Sequence, residues 1–307
     1  MGNVKKILIT GASGFIGTNL INKLLRQGFN IAVLNRSSNL KLDTVKQYAG
    51  DISDYDFVEK SVLDFQPNKV FHLAGYKERS SKVEDLSISL TVNLLGTLNL
   101  YQALLKITSV ESIVTLGTTD EYGGNEPPFK EILKELPASA YGFSKFCATK
   151  LSEFFSRNFK LPIVVLRPTI AYGPHQGLEM FIPSLINSLI SGEKYEMTPG
   201  DQVRDFIYIS DLIDVMLTVS VGDGFAGQVF NVGSGEAVKI KEVAIYIAKH
   251  LDKEHLLHVG AMPYRDREVM HYMTSIDEIC NKSGWKPKVN FEKGLGLTVE
   301  YFKNNEE

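Results

Sequence analysis

The stretch Lys5-Lys6-Ile7-Leu8-Ile9-Thr10-Gly11-Ala12-Ser13-Gly14-Phe15-Ile16-Gly17 carries the fold signature of this chain. Lys5 to Thr10 reads as a short buried strand, because Ile7, Leu8 and Ile9 run apolar without alternation, as strands of a parallel sheet do. Three glycines follow at once, spaced G-x-x-G-x-x-G. From Phe15 to Leu25 the apolar residues Phe15, Ile16, Leu20, Ile21, Leu24 and Leu25 recur at helical spacing. A strand, a glycine turn and a helix that opens at the turn form a phosphate-binding device. The glycines let the backbone approach a pyrophosphate, and the helix N-terminus offers free N–H groups with partial positive charge. A glycine-rich turn of no function is the bland alternative; strand before and helix after make it the minor one.

Working outward, the whole chain sets the bounds. It has 307 residues, 44% of them apolar and 22% charged, which builds a core easily and gives room for one large domain or a domain with a second lobe. The net charge of −3 and the pI near 6.1 give no basic surface for nucleic acid. Cys147 and Cys280 form neither a metal spacing nor a disulfide framework, so a reducing compartment is expected. The N-terminus enters a strand directly without a signal-peptide plan, and no apolar run approaches the roughly 18 residues of a membrane span. A soluble, cytoplasmic protein with no membrane partner is the expectation.

Ile31 to Leu34 reads as the second strand. In a dinucleotide fold its end meets the adenosine ribose, where an acidic residue holds the 2′-hydroxyl. Here Asn35 takes that place and Arg36 and Ser37 follow. A guanidinium suits a 2′-phosphate and the missing carboxylate removes a repulsion, so NADP(H) is favoured with NAD(H) possible; the alternative is a solvated surface arginine. Asp51 and Ile52 end a short extended piece before a helix from Tyr55 to Phe65. Asp51 suits the adenine amino group and equally suits a helix cap. Val70 to Gly75 reads as a buried strand ending in small residues that leave room for a cofactor; His72 within it reads as a packed histidine. Lys77 follows, either within reach of substrate or solvated. Val83 to Lys106 reads as one long helix with Asn93 inside it, facing water or holding a loop or cofactor strand.

Ile113 to Leu116 is the next strand and runs into Thr118-Thr119-Asp120-Glu121-Tyr122. Hydroxyls and carboxylates at the C-terminal end of a parallel strand are where an open α/β sheet places its chemistry. Tyr141 and Lys145 then lead a helix to about Phe159 and, four apart, share one face. A free phenol ionises near pH 10, and a nearby ammonium favours its phenolate, so such a tyrosine exchanges a proton nearer neutrality. The pair alone is a weak signal; the glycine turn upstream and Thr118 between strengthen it.

With those motifs the sequence resembles the extended short-chain dehydrogenase/reductase family, more narrowly its nucleotide-sugar epimerases, dehydratases and 4-keto reductases. The resemblance spans nearly the whole chain: TGASGFIG from Thr10, HLAG from His72, VNLLGTLNL from Val92, TTDEYG from Thr118, YGFSK from Tyr141, RPTIAYGP from Arg167, RDFIYISDL from Arg204, NVGSGE from Asn231 and PYRDRE from Pro263. It implies a doubly wound parallel Rossmann sheet with a smaller C-terminal α/β substrate lobe. Tyr141 is then the acid/base, Lys145 the group that binds the nicotinamide ribose and tunes it, and Thr118 the hydroxyl on the reacting sugar oxygen. The implied cofactor contacts are Gly11, Gly14, Phe15, Ile16, Gly17, Asn35, Arg36, Ser37, Asp51, Ile52, Leu73, Ala74, Gly75, Asn93, Tyr141, Lys145 and Pro168. Those for the nucleotide-diphosphate sugar are Lys77, Thr118, Thr119, Asp120, Tyr141, Arg204 and Arg265; guanidinium pairs with phosphate in a bidentate way. There are departures. Asn35 replaces the usual acidic ribose ligand, and Ile170 stands where many epimerases carry an asparagine. Aligned on Thr118, Thr119 and Asp120 occupy the Asp and Glu positions of dehydratases, so the C6 proton donor is missing or altered.

The expected division is a Rossmann domain over 1–168 and a substrate lobe over 169–307, with the chain crossing back at about 203–235. Within the lobe, helices are expected over Gly177 to about Gly192, Lys239 to His250, Thr274 to Ser283 and from Glu292. Strands are expected over Tyr195 to Thr198, Phe206 to Ile209 and Val229 to Val232. The histidines of this half have no metal-ligand pattern. Three functions compete: an NADPH-dependent NDP-4-keto-6-deoxyhexose reductase, favoured by Arg36; an NDP-hexose 4-epimerase; and a non-catalytic NADP(H)-binding regulatory protein, which the intact Thr118, Tyr141 and Lys145 argue against. A dehydratase is a weaker fourth. A homodimer is expected from the apolar excess of the helices from Val83 and Tyr141.

Overall fold

The computed structural model describes residues 5–37, 42, 44–77, 82–264 and 268–305. The first half runs β1 (Lys6–Thr10), α1 (Phe15–Leu25), β2 (Asn30–Asn35), β3 (Lys46–Ala49), α2 (Tyr55–Phe65), β4 (Lys69–His72), α3 (Val83–Ser89), α4 (Gly96–Leu104), β5 (Ser112–Leu116), α5 (Ala140–Phe159) and β6 (Ile163–Pro168). With β10 (Val229–Val232) the strands form one parallel sheet in the order β10-β6-β5-β4-β1-β2-β3. The order reverses between β1 and β4, in register at Thr10 and His72, and that reversal opens a crevice at the C-terminal strand ends. Both faces are covered, which is why the strands read as unbroken apolar runs. Ile7 and Ile9 of β1 pack with α1, and Leu8 with α2 and α4 on the other face.

The second half begins one residue after β6. There β7 (Ile170–Tyr172) leaves the main sheet to pair with β9 (Val203–Tyr208). Between them lie α6 (Phe181–Ile190) and β8 (Tyr195–Met197); after β9 come α7 (Ile209–Val221) and the return to the main sheet at β10. Then follow β11 (Ala237–Lys239), α8 (Ile240–His250), β12 (Leu257–Val259), β13 (His271–Tyr272), α9 (Asp277–Ser283) and α10 (Phe291–Asn304). The smaller sheet runs β11-β9-β13 with β7 beside β9, and β12 pairs with β8. Its core is continuous with the α1 face of the main sheet, through Leu185, Leu212, Val243 and Leu295. So the two layers are joined by one hydrophobic seam, and the crevice of the main sheet opens toward the smaller one.

Several elements depart from the expected bounds. The strand expected over Val70 to Gly75 stops at His72, because Ala74 N–H turns aside to the Thr10 hydroxyl at 3.2 Å. The long helix from Val83 carries a π-helical turn at Leu90–Leu95. There Asn93 is buried and clamps the loop after β4, accepting from Tyr76 N–H at 2.7 Å and donating to Tyr76 C=O at 2.9 Å. A register slip in the helix aims one side chain at that loop. α6 starts at Phe181 rather than near Gly177, since Met180 just before it is extended, with φ −93° and ψ 150°. Of the crossing expected at about 203–235, β9 belongs to the smaller sheet, and the return begins with α7. No helix among the described residues is long and apolar enough to cross a membrane.

Candidate active site

A cleft of about 540 Å³ lies over the switch point, between the glycine turn and the smaller sheet. The three glycines do different work. Gly11 has φ +70°, and a Cβ there falls 2.6 Å from Ala74 N, so the turn and the loop after β4 pass backbone to backbone. A Cβ on Gly17 falls 2.5 Å from Gly11 O, so that position seats α1 against the turn. A Cβ on Gly14 meets nothing nearer than 3.4 Å; its face is open toward the cleft. Gly14 is the N-cap of α1 and no side chain caps the helix, so the first-turn N–H groups remain for an anion. At the end of β2, Asn35 is buried and its Oδ1 accepts from Ala12 N–H at 2.8 Å; its Nδ2 has no partner among the described residues. An open glycine, an uncapped helix start and an unsatisfied amide bonded to the turn at Ala12 fit a dinucleotide.

Behind Leu73 and Gly75, which line the cleft, runs a hydrogen-bond relay. Ala74 N–H donates to Thr10 Oγ1, which lies 2.7 Å from His72 Nδ1; His72 Nε2 lies 2.8 Å from Thr97 Oγ1, which donates to Asn93 C=O at 2.6 Å. Thr97 spends its proton on the carbonyl, so His72 carries its hydrogen on Nε2 and accepts at Nδ1. Burial pushes its pKa down to about 3, with the Lys145 charge adding. His72 is a packed, neutral histidine, as its place in the strand suggests.

Across the cleft, α5 begins at Ser139, whose hydroxyl accepts from Gly142 N–H at 3.0 Å. That cap places Tyr141 in the first turn and Lys145 one turn on, both lining the cleft. Lys145 is buried against Gly75, where a Cβ would fall 3.9 Å from its Nζ. Burial pushes the Lys145 pKa down to about 8, and the Glu121 carboxylate opposes that fall. Thr118 lines the same cleft at the end of β5. Its Oγ1 accepts from Asp120 N–H at 3.2 Å, which leaves the hydroxyl proton to be given to a ligand. The proton donor set and the glycine turn therefore face one space.

That space matches a known pattern. The family model described as NAD dependent epimerase/dehydratase family matches residues 7–233. The chain belongs to this family. The dTDP-glucose 4,6-dehydratase of Shigella flexneri is 29% identical, over 98% of this chain and 93% of its own length. The crystal structure of the Thermotoga maritima UDP-glucose 4-epimerase with UDP-glucose superposes with a TM-score of 0.89 at 28% identity, covering 97% of this chain and 99% of that one. The Thermus thermophilus UDP-glucose 4-epimerase, in complex with NAD, gives 0.88 at 27% identity, covering 98% and 100%. The resemblance to nucleotide-sugar enzymes of the extended short-chain dehydrogenase/reductase type is thereby shown, and with it the Rossmann-like fold.

Within this epimerase/dehydratase frame the expected site residues divide. Gly11, Gly14, Phe15, Ile16, Gly17, Leu73, Gly75, Lys77, Thr118, Tyr141, Lys145, Pro168 and Arg204 line the cleft. Asn35, Arg36, Ser37 and Asp51 lie at the far end of β2 and β3; Arg36 and Ser37 are exposed. Asp51 turns back on Ser53, accepting from its N–H and hydroxyl, which holds the carboxyl below its usual range with Arg36 adding. The helix cap there is Asp54. The carbonyl of Ile52 accepts from Asn99 at 3.1 Å. Ala74 and Asn93 are engaged by protein groups, as above. Thr119 donates to Pro168 C=O, and the Tyr272 hydroxyl sits 2.9 Å from Thr119 Oγ1 and donates to Asp120 at 2.6 Å. Arg204 pairs with Glu268 at 2.8 Å, and Lys77 with Glu179 at 2.8 Å. Arg265 lies outside the described residues.

Sequence reading missed the layer beneath Thr118. Glu121 and Arg167 are both fully buried and paired at 2.7 Å. The available signal was Arg167 itself: a charge ending the apolar run of β6 must find a buried partner. Tyr272 and the cleft wall formed by Gln176, Met180, Phe181 and Ile240 were also missed, because they arrive from the smaller lobe.

Proposed function

We propose that this chain transfers hydride at C4 of a nucleoside-diphosphate sugar and, within that class, reduces an NDP-4-keto-6-deoxyhexose with NADPH. The observation that carries the reading is the convergence of Tyr141, Lys145 and Thr118 on a cleft walled by an uncapped glycine turn. The nicotinamide, when bound, supplies hydride to the C4 carbon or takes it away. Tyr141 delivers a proton to the C4 oxygen as the alkoxide forms, and Thr118 donates a hydrogen bond to that oxygen. Lys145 holds the nicotinamide ribose and favours the phenolate left behind. Arg204, at the cleft and already paired with the Glu268 carboxylate, carries a guanidinium fork suited to a diphosphate. The NADP(H) preference rests on Asn35, a donor where family members carry a carboxylate, with Arg36 exposed beside it. C6 dehydration is disfavoured, since Thr119 bears no carboxyl and Asp120 is engaged by Tyr272.

A second reading is 4-epimerisation, supported by the likeness to UDP-glucose 4-epimerases over nearly the whole of both chains. NADPH oxidation with an NDP-4-keto-6-deoxyhexose, run beside C4 epimerisation of UDP-glucose, separates the two. Tyr141→Phe keeps the ring and removes the proton, so turnover falls about 10²–10⁴-fold with cofactor affinity nearly intact. Parent-rate turnover by that variant overturns the mechanism. Cofactor binding without either activity, on a broad nucleotide-sugar panel, overturns the enzymatic reading in favour of a regulatory one.

A further inference from the structure

Glu121 lies under the reacting groups without lining the cleft. Gly117 forms the floor above it, and a Cβ on Gly117 would fall 2.6 Å from Glu121 Oε1. The carboxylate is fully buried and meets four donors. Thr118 N–H at 2.9 Å and the Thr149 hydroxyl at 3.0 Å reach Oε1; Arg167 Nε at 2.9 Å and Nη2 at 2.7 Å reach Oε2. With donors on every side no place for a proton remains, so the group is ionised. Burial pushes its carboxyl up, and the Arg167 guanidinium opposes that. Thr149 stands one helical turn beyond Lys145 on α5, so Glu121 is hooked to the stripe that bears the catalytic lysine.

The surroundings are charged on several sides. Arg167, from β6, also reaches the Tyr122 hydroxyl at 2.9 Å and Glu135 at 2.7 Å, and Glu135 pairs with Lys150 of α5 at 2.7 Å. Glu131 acts on Tyr122 and Arg167, and the Cys147 thiol on α5 is raised by burial and by Glu121. From β4, neutral His72 faces Lys145. Glu121 and Glu135 thus balance Arg167 and Lys150, and Lys145 is a further buried cation.

We infer that Glu121 is a positioning residue for the acid/base step, pinning Thr118 by its backbone and keeping Lys145 an ammonium beside Tyr141. This rests on the reading of Tyr141 and Lys145 given above. Burial alone drives the lysine toward its neutral form, and Glu121 is the carboxylate whose charge reaches it. A neutral lysine no longer favours the phenolate, so removing Glu121 raises the pH at which Tyr141 ionises.

Ultraviolet titration of the phenolate band tests this on the protein without added ligand. The curve of each chain minus that of its Tyr141→Phe counterpart isolates the Tyr141 step. E121Q moves that step to higher pH and lowers kcat at pH 7 about tenfold, with the loss shrinking toward lower pH. E121Q strands Arg167 in the core and risks unfolding. E121Q/R167M removes both halves of the pair, leaves no orphaned charge, and shows an upward move of the same sign but smaller size, because the Arg167 cation leaves with the carboxylate; folding is checked by thermal melting. A Tyr141 step unchanged in folded E121Q/R167M overturns the role of Glu121 and leaves the acid/base reading standing. A parent chain whose Tyr141 ionises no lower than a free phenol overturns that reading itself, and this inference with it.

Discussion

Asn35→Asp is a one-atom change at the end of β2 with a calculable effect on cofactor choice. Oδ1 keeps its bond from Ala12 N–H, since amide and carboxylate both accept there. Nδ2, a donor without a described partner, becomes a charged acceptor. Toward a 2′-phosphate the change removes a donor and adds repulsion. Toward a 2′-hydroxyl it supplies a charge-assisted hydrogen bond. A hydrogen bond to a charged group contributes about 1.5–3 kcal/mol, and 1.4 kcal/mol is a factor of ten. The ratio of NADPH to NADH affinity therefore moves about 10–100-fold toward NADH. Arg36→Ala moves the same ratio in the same direction by weakening NADPH alone. Fluorescence titration of each reduced cofactor against parent and variants reads this directly, with no need for the sugar substrate. A ratio unchanged in both variants, or equal losses for both cofactors, refutes the assignment of this strand end to the 2′ position.

Three further outcomes follow from particular residues. Gly17→Ala sets a methyl 2.5 Å from Gly11 O, so it costs about 1–3 kcal/mol of stability and lowers affinity for both cofactors alike, read by thermal melting and titration; a parent-like melt shows that the turn yields. Burial pushes the Asp205 carboxyl up to about 6. Between the unfolded value near 3.9 and that pH the folded chain holds a proton the unfolded chain lacks, so stability falls as pH rises through this window, by up to about 3 kcal/mol. Asp205→Asn therefore gains on the parent between pH 4 and 7 in urea unfolding, and parallel profiles would rule the effect out. The run from α3 to α5 exposes Val83 (77%), Ile88 (46%), Phe143 (40%) and Phe154 (45%), a face suited to a second copy of the chain; sedimentation at the 34.2 kDa monomer mass at micromolar concentration rejects a homodimer.

The sequence by itself determined whatever is held by near neighbours in the chain. The glycine turn, α1 at Phe15–Leu25 and α2 at Tyr55–Phe65 fall where periodicity and turn chemistry put them, because three- and four-residue contacts and local backbone freedom suffice. Tyr141 and Lys145 share a helical face for the same reason. The tertiary structure decided what depends on partners far along the chain. Asn93 was legible as a polar residue in a helix, yet its π turn follows from the Tyr76 loop it clamps. In sequence Thr119 and Asp120 match substrate contacts, whereas in the fold Tyr272, some 150 residues on, engages both. β7 is separated from β6 by Thr169 alone and joins another sheet, a choice made by the partner strand β9. In sequence Glu121 is one acid in a polar run; only the arrival of Arg167 and Thr149 turns it into a buried charge beneath Thr118. Spacing in sequence encodes contacts within a turn or two, whereas burial and charge pairing are set by which surfaces meet.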